Sequence, residues 1–270
     1  MTRLTGVSET LLLPLHAKGL ETRRQDGVIC DPKAIEILDR LDYDFSRFGD
    51  IDQVQIGTAI RTEILDEQVN RFLDAHPDAT VVNLGAGLCT RLSRVDNGRV
   101  SWFELDLEEV YQHWKRFYRE TERHRFVVHS LLDHEWMARF AVEHPGSRPL
   151  LFVAEGVLMY FSEAEVRALL CAMAEVFPGA TLLAELISPL MARNSQRHPI
   201  SKTSATFQWG IQNTGVIETW SERLRFVEEW CYVDRYARRW SWKVRTLKHL
   251  PGMRRMIRIA RLRFVPPESP

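Results

Sequence analysis

The sequence predicts an α/β fold, a doubly wound and mostly parallel sheet, and three observations predict it. From residue 79 onward, short β-branched or aromatic runs alternate with amphipathic stretches. Such alternation needs crossover connections, and hence a parallel sheet with helices on both faces. The first of these runs ends in Gly85-Ala86-Gly87, a turn that can carry a strand into a helix beneath a ligand. The chain's 270 residues, 45% hydrophobic and 27% charged, suit one such domain with a core of its own.

The elements follow in order. Residues 8–17 are apolar after a polar start and read as helix. Asp31-Pro32 opens a second helix, an acid at the N-cap with proline in the first turn, and Ile35, Ile37, Leu38 and Leu41 supply its apolar positions. Residues 52–76 give a longer helix, with Ile60, Ile64, Val69 and Phe72 near helical spacing, ended by His76-Pro77-Asp78. The strand candidates are 80–84, 100–103, 126–128, 150–153 and 181–183. A helix is expected over 107–119. Another is expected over 162–176, opened by the capping box Ser162…Glu165. At the end, Met253, Met256, Ile257 and Ala260 would make an apolar helical stripe, whereas Ile257-Arg258-Ile259 and Leu262-Arg263-Phe264 alternate as a strand would.

Bulk properties remove several functions. With 36 basic and 36 acidic residues, no global field steers the chain to nucleic acid or membrane. Cys30, Cys89, Cys171 and Cys231 are too scattered for a structural zinc site and read as reduced cytosolic thiols. Leu11-Leu12-Leu13-Pro14-Leu15 is too short and interrupted for a signal peptide, and no apolar run is long enough to cross a bilayer. The expected location is the cytoplasm, with no nucleic-acid partner and no stable membrane insertion.

The chemistry gathers at the first strand's end. Gly85 and Gly87 let backbone pass close under a ligand, although Gly-x-Gly alone also fits a plain tight turn. Glu104 and Asp106 close the second strand about twenty residues on, where a carboxylate meets the ribose hydroxyls of an adenosine cofactor. The third glycine of a dinucleotide motif is replaced by Thr90. That glycine serves close packing beneath a pyrophosphate. S-adenosylmethionine (SAM) has none, so the pattern favours SAM over NAD.

Val82-Asn83-Leu84-Gly85-Ala86-Gly87-Leu88-Cys89-Thr90-Arg91, Trp102-Phe103-Glu104-Leu105-Asp106-Leu107 and Ala154-Glu155-Gly156-Val157-Leu158-Met159-Tyr160 together resemble the leucine carboxyl methyltransferase family, nearest its bacterial branch with polyketide O-methyltransferases. The resemblance extends to 15–24, to Asp31-Pro32-Lys33-Ala34 and to 225–234. It implies a Rossmann-like seven-stranded sheet in one domain: a helical cap at 1–78, a SAM-binding core at 79–187, an inserted lid at 188–222 and closing strands at 223–270. It also implies roles. Gly85, Ala86 and Gly87 lie against the methionine portion of SAM, Arg61 and more loosely Lys18 meet its carboxylate, and Glu155 meets its amine. Asp106, or Glu104 beside it, holds the ribose, and Ser130 and Leu131 face adenine. A guanidinium grips a carboxylate through two parallel hydrogen bonds, and an acid ending an apolar run normally has a partner. The family usually has Asp at positions 89 and 130, where this chain has Cys89 and Ser130.

Methyl transfer from a sulfonium is an in-line displacement that orientation alone accelerates strongly. A carboxylate acceptor needs no base; a phenol or alcohol needs one or a nearby cation. Tyr160 and His129 are the side chains near strand ends that could reach an acceptor, and no metal-ligand spacing occurs among the nine histidines. Phe207, Trp209 and Trp220 in the lid segment could sandwich a planar small molecule. Eleven Lys and Arg residues with no acid between 235 and 267 suggest a solvated basic face or a surface for an anion or membrane. Two other readings stay open: an NAD-dependent oxidoreductase, weakened by Thr90, and a non-catalytic SAM-fold scaffold or sensor, suggested by Cys89 and Ser130.

Overall fold

The computed structural model describes residues 7–144, 148–194 and 206–266. Helix α1 (Val7–Thr22) runs past Pro14 and is longer than the apolar pattern predicts. α2 (Pro32–Asp39) starts as expected, with Asp31 capping it by accepting a hydrogen bond from Ala34 N. α3 (Asp52–Ala75) is the long helix. The sheet then begins: β1 (Thr80–Leu84), the short α4 (Leu92–Val95), β2 (Ser101–Asp106), α5 (Glu108–Trp114), β3 (His124–Val128), α6 (Glu135–Glu143) and β4 (Leu150–Ala154). α7 (Glu163–Val176) follows, with both halves of the capping box formed between Ser162 and Glu165. The chain closes with β5 (Thr181–Ile187), α8 (Pro189–Arg193), β6 (Leu224–Cys231), α9 (Trp242–Leu247) and β7 (Ile257–Phe264).

The seven strands form one sheet in the order β3-β2-β1-β4-β5-β7-β6. All pairs among the first five are parallel, and β7 runs antiparallel between β5 and β6. This is the doubly wound, mostly parallel sheet that the alternation predicts. It also settles the last segment as a strand, because Leu262 and Phe264 fill the core beside β5. β5 runs four residues beyond the predicted 181–183, through Glu185, whose charge is matched inside the fold. The helix expected over 107–119 stops at Trp114, since Phe117 turns inward to pack with Trp114 and Phe126.

Each face of the sheet has its own core. Ile56, Ile60, Ile64 and Val69 of α3 pack on Val81, Trp102, Leu183 and Ile259. On the other face, Trp136 and Phe140 of α6 and Leu169, Leu170 and Met173 of α7 pack on Phe103, Phe152 and Leu182. Because both faces are covered, β1 is buried at every residue and reads as a continuous run rather than an alternation. α1 and α2 lie across the carboxyl end of the sheet, where Leu15 and Ile37 meet Leu88. Part of the segment read as a lid, residues 195–205, falls outside the described residues. No described helix is long and apolar enough to cross a membrane.

Candidate active site

Sheet register builds the site. Leu84 of β1 pairs with Leu105 of β2 on one side and with Ala154 of β4 on the other. Gly85, Asp106 and Glu155 therefore leave the sheet side by side where the strand order reverses, the point at which a crevice opens in such sheets. A cleft of about 530 Å³ lies there. Lys18, Arg61, Gly85, Ala86, Gly87, Glu155 and Tyr160 all line it. A larger depression of about 1250 Å³ lies at the opposite edge, among the first residues of β1, β2, β4 and β5, and includes none of these residues.

The glycine turn has a steric reason. Gly85 sits at φ +63°, and a Cβ there would lie 2.5 Å from Val157 Cγ2. Gly87 sits at φ +56°, where a Cβ would come within 2.9 Å of Leu11 Cδ2. Both are left-handed conformations that a side chain strains. The turn is held from β2: Gly85 N and Ala86 N donate to Leu105 O, and Gly87 N donates to Asp106 Oδ2 at 2.8 Å. Leu107 N donates to Asp106 Oδ1, also at 2.8 Å. Burial pushes the Asp106 carboxyl up, against the pull of these two amides. Each oxygen retains a lone pair for a hydroxyl donor.

Glu104 lies two residues earlier on the same strand and is not free for that task. It is buried and accepts from Asn83 Nδ2 at 2.8 Å and Trp102 Nε1 at 2.9 Å, with His124 Nε2 at 3.3 Å. Its carboxylate is committed to the sheet, whereas Asp106 holds the cleft-lining Gly87 through its amide without lining the cleft itself. His129, Ser130 and Leu131 follow β3 and do not line the cleft. Leu131 is buried in the core with Trp136, and His129 Nε2 lies 3.7 Å from Asp133.

Behind the glycine turn four cations and four acids interlock. Arg61 Nη1 donates to Glu185 Oε2 at 3.0 Å, and Arg61 Nε approaches Glu155 Oε1 at 2.8 Å. Arg91 joins Glu155 at 2.6 Å and Asp66 at 2.9 Å. Arg94 joins Asp66 and Asp31, each at 2.6 Å. Lys18 Nζ donates to Thr90 Oγ1 at 3.1 Å, and Thr90 Oγ1 donates to Asp31. Burial alone would raise the Glu155 carboxyl, yet Arg61, Arg91 and Lys18 together hold it far below the usual carboxylate range. Burial raises the Cys89 thiol and keeps it neutral. It also pushes Tyr160 up to about 12, with Glu185 adding to the shift.

Glu185, Tyr232, Arg91 and Asp66 escape the sequence reading. Tyr232 Oη donates to Glu185 Oε1 at 2.8 Å, so Glu185 fixes Arg61 and closes one wall of the cleft. The signal was an acid embedded in Leu182-Leu183-Ala184-Glu185-Leu186-Ile187, a position that demands a buried partner.

The residues present suit an amino-acid-bearing nucleoside. Arg61 lines the cleft, with its Nε buried 2.8 Å from Glu155 Oε1 outside hydrogen-bond geometry. Glu155 offers a negative counterpart beside it, the glycines offer a floor without side chains, and Asp106 offers a ribose acceptor.

Comparison with known proteins gives this arrangement its class: the chain is a SAM-dependent methyltransferase. It belongs to the leucine carboxyl methyltransferase family, whose model matches residues 13–174. It is 36% identical over 234 residues to the tetracenomycin polyketide synthesis O-methyltransferase TcmP of Streptomyces glaucescens, covering 86% of this chain and 85% of that one. It is 26% identical over 257 residues to the S-adenosyl-L-methionine-dependent methyltransferase dpfgK of Gibberella zeae, covering 87% and 85%. Among solved structures, a candidate methyltransferase from Thermobifida fusca superposes with a TM-score of 0.60 over 97% of this chain and 96% of that one, at 14% identity, which shows the shared fold. The oxidoreductase and scaffold readings are not favoured.

Proposed function

We propose that the chain transfers the methyl group of SAM to an oxygen, carboxylate or phenolic, of a small planar secondary metabolite of the polyketide kind, in the cytoplasm. The observation that carries this reading is the cleft's second half. Beyond the glycine turn it continues between apolar side chains, Met159, Met191, Phe207 and Trp240, with Tyr160 tilted against Phe207 at 5.4 Å between ring centroids. Such walls suit a flat aromatic acceptor, and the relative TcmP is a polyketide O-methyltransferase.

When bound, SAM would supply a sulfonium-activated methyl group whose S–CH3 bond breaks as an acceptor oxygen bonds the carbon, S-adenosylhomocysteine being the leaving group. The chain's part is to orient and to keep water out. Arg61 and Lys18 would meet the cofactor carboxylate, Glu155 its amine, Gly85, Ala86 and Gly87 its methionine portion, and, from outside the cleft's lining, Asp106 its ribose and Ser130 its adenine, while Leu131 stays in the core. Tyr160 keeps its proton near neutral pH and acts as a hydrogen-bond donor rather than a base. Residues 1–78 would cap the cleft, 79–187 form its cofactor half, and 188–222 cover the acceptor, with 223–270 completing the sheet.

Incubation with radiolabelled SAM and a panel of aromatic polyketide acids and phenols tests this. Label should enter an ester or aryl ether. Tyr160→Phe should retain turnover with carboxylic acids within a few-fold. Label on nitrogen or carbon acceptors alone would overturn the oxygen assignment.

A further inference from the structure

The basic C-terminal stretch is not uniformly solvated. Of its eleven cations, Arg235, Arg239, Arg254, Arg255, Arg258 and Arg261 are ion-paired with acids on other segments. Among the described residues, five have no ion pair. Four of those, Arg238, Lys243, Arg245 and Lys248, fall within eleven consecutive positions around α9. The same stretch exposes large apolar side chains: Trp242 is 69% exposed, Leu250 53%, Leu247 42% and Tyr236 42%. The acids that touch this stretch are taken up at its start: Glu21 and Asp26 face Arg239, and Glu63 accepts from Tyr236 Oη. Ser241, Lys243 and Val244 meanwhile line the active-site cleft, so the patch lies at its mouth.

Exposed indole and leucine side chains among unpaired cations match the interface of an anionic bilayer. The cations meet headgroup phosphates, and the indole partitions between headgroup and acyl chain. An acidic protein would satisfy the cations but gives no reason for a tryptophan and two leucines to stand exposed around them. We propose that residues 236–250 form a docking surface for an anionic lipid bilayer, which sets the mouth of the cleft against the layer where apolar molecules dissolve. The surface stands on its own observations and does not depend on the acceptor's identity.

Sedimentation of the full chain with vesicles tests it, using phosphatidylcholine alone and phosphatidylcholine mixed in equal parts with phosphatidylglycerol. The chain should pellet with the mixed vesicles, remain free with the neutral ones, and be released by salt. Arg245→Glu with Lys248→Glu should weaken binding at least about five-fold per position, the worth of one surface cation near an anionic leaflet. Trp242→Ala should weaken it as well. SAM affinity by calorimetry should not change in these variants, which separates a docking defect from a folding or cofactor defect. Equal binding to both vesicles, no binding to either, or wild-type binding by the variants would overturn the proposal. Retention on immobilised polyaspartate without vesicle binding would overturn it in favour of an acidic protein.

Discussion

Replacing Glu155 with Gln removes one charge from the most heavily invested position in the cleft. The carboxylate is 12% exposed and stands between Arg61 Nε at 2.8 Å and Arg91 Nη2 at 2.6 Å. Breaking a buried pair while leaving its partner in place costs about 3–5 kcal/mol, and here two guanidinium groups lose a counter-charge. For a domain of this size that lowers Tm by roughly 6–20 °C. The cofactor amine would lose a charged hydrogen bond of about 1.5–3 kcal/mol, roughly ten- to 150-fold in Kd. The pH dependence has a definite sign. Glu155 is held below its ordinary value of 4.5, so its contribution is present above that pH and is lost as pH falls below it. Thermal denaturation of wild type and Glu155→Gln across pH should show a wide gap near neutrality that closes in acid. Calorimetry near neutrality should show the weakened SAM binding. Equal melting at neutral pH would refute the buried network as a source of stability, and an unchanged Kd would refute the role given to Glu155.

Other outcomes follow from the same geometry. Asp106 is raised by burial, so SAM affinity should begin to fall in acid at a pH above the ordinary aspartate value of 3.8; calorimetry of Asp106→Asn should instead find uniformly weak binding without that pH step. Gly85→Ala should lose SAM binding and stability together, because its Cβ would meet Val157 from a left-handed backbone; wild-type affinity by titration would contradict the steric argument. Cys30 is exposed, Cys89 is half-buried in the cleft with its thiol raised by burial, and Cys231 is buried, so iodoacetamide followed by mass spectrometry should label Cys30 first and Cys231 last, with SAM slowing Cys89.

Local rules explain what the sequence showed in advance. β1, the Asp31 cap and the Ser162 capping box depend on neighbours a few residues apart, and each forms where the pattern placed it. The spacing from Gly85 to Asp106 was legible because one crossover in a parallel sheet has a characteristic length. The counter-charge network was not. Arg61 and Glu185 are 124 positions apart, and Arg91 and Glu155 are 64 apart. No periodicity reports which buried acid meets which buried base. Glu104 shows the converse failure: its spacing suits the ribose role, but its carboxylate points into a cage of Asn83, Trp102 and His124 that only the register reveals. β6 was equally faint, because it alternates with charges and carries an irregularity between Phe226 and Glu228.

The central claim is that the cleft lined by Arg61, together with Asp106 beside its glycine turn, holds the methyl donor. Isothermal calorimetry with SAM and with S-adenosylhomocysteine on the wild type, Arg61→Ala and Asp106→Ala tests it most directly. Saturable wild-type binding of both ligands, weakened at least about ten-fold by each substitution, is the expected result. Absence of wild-type binding, or binding indifferent to both substitutions, would contradict it.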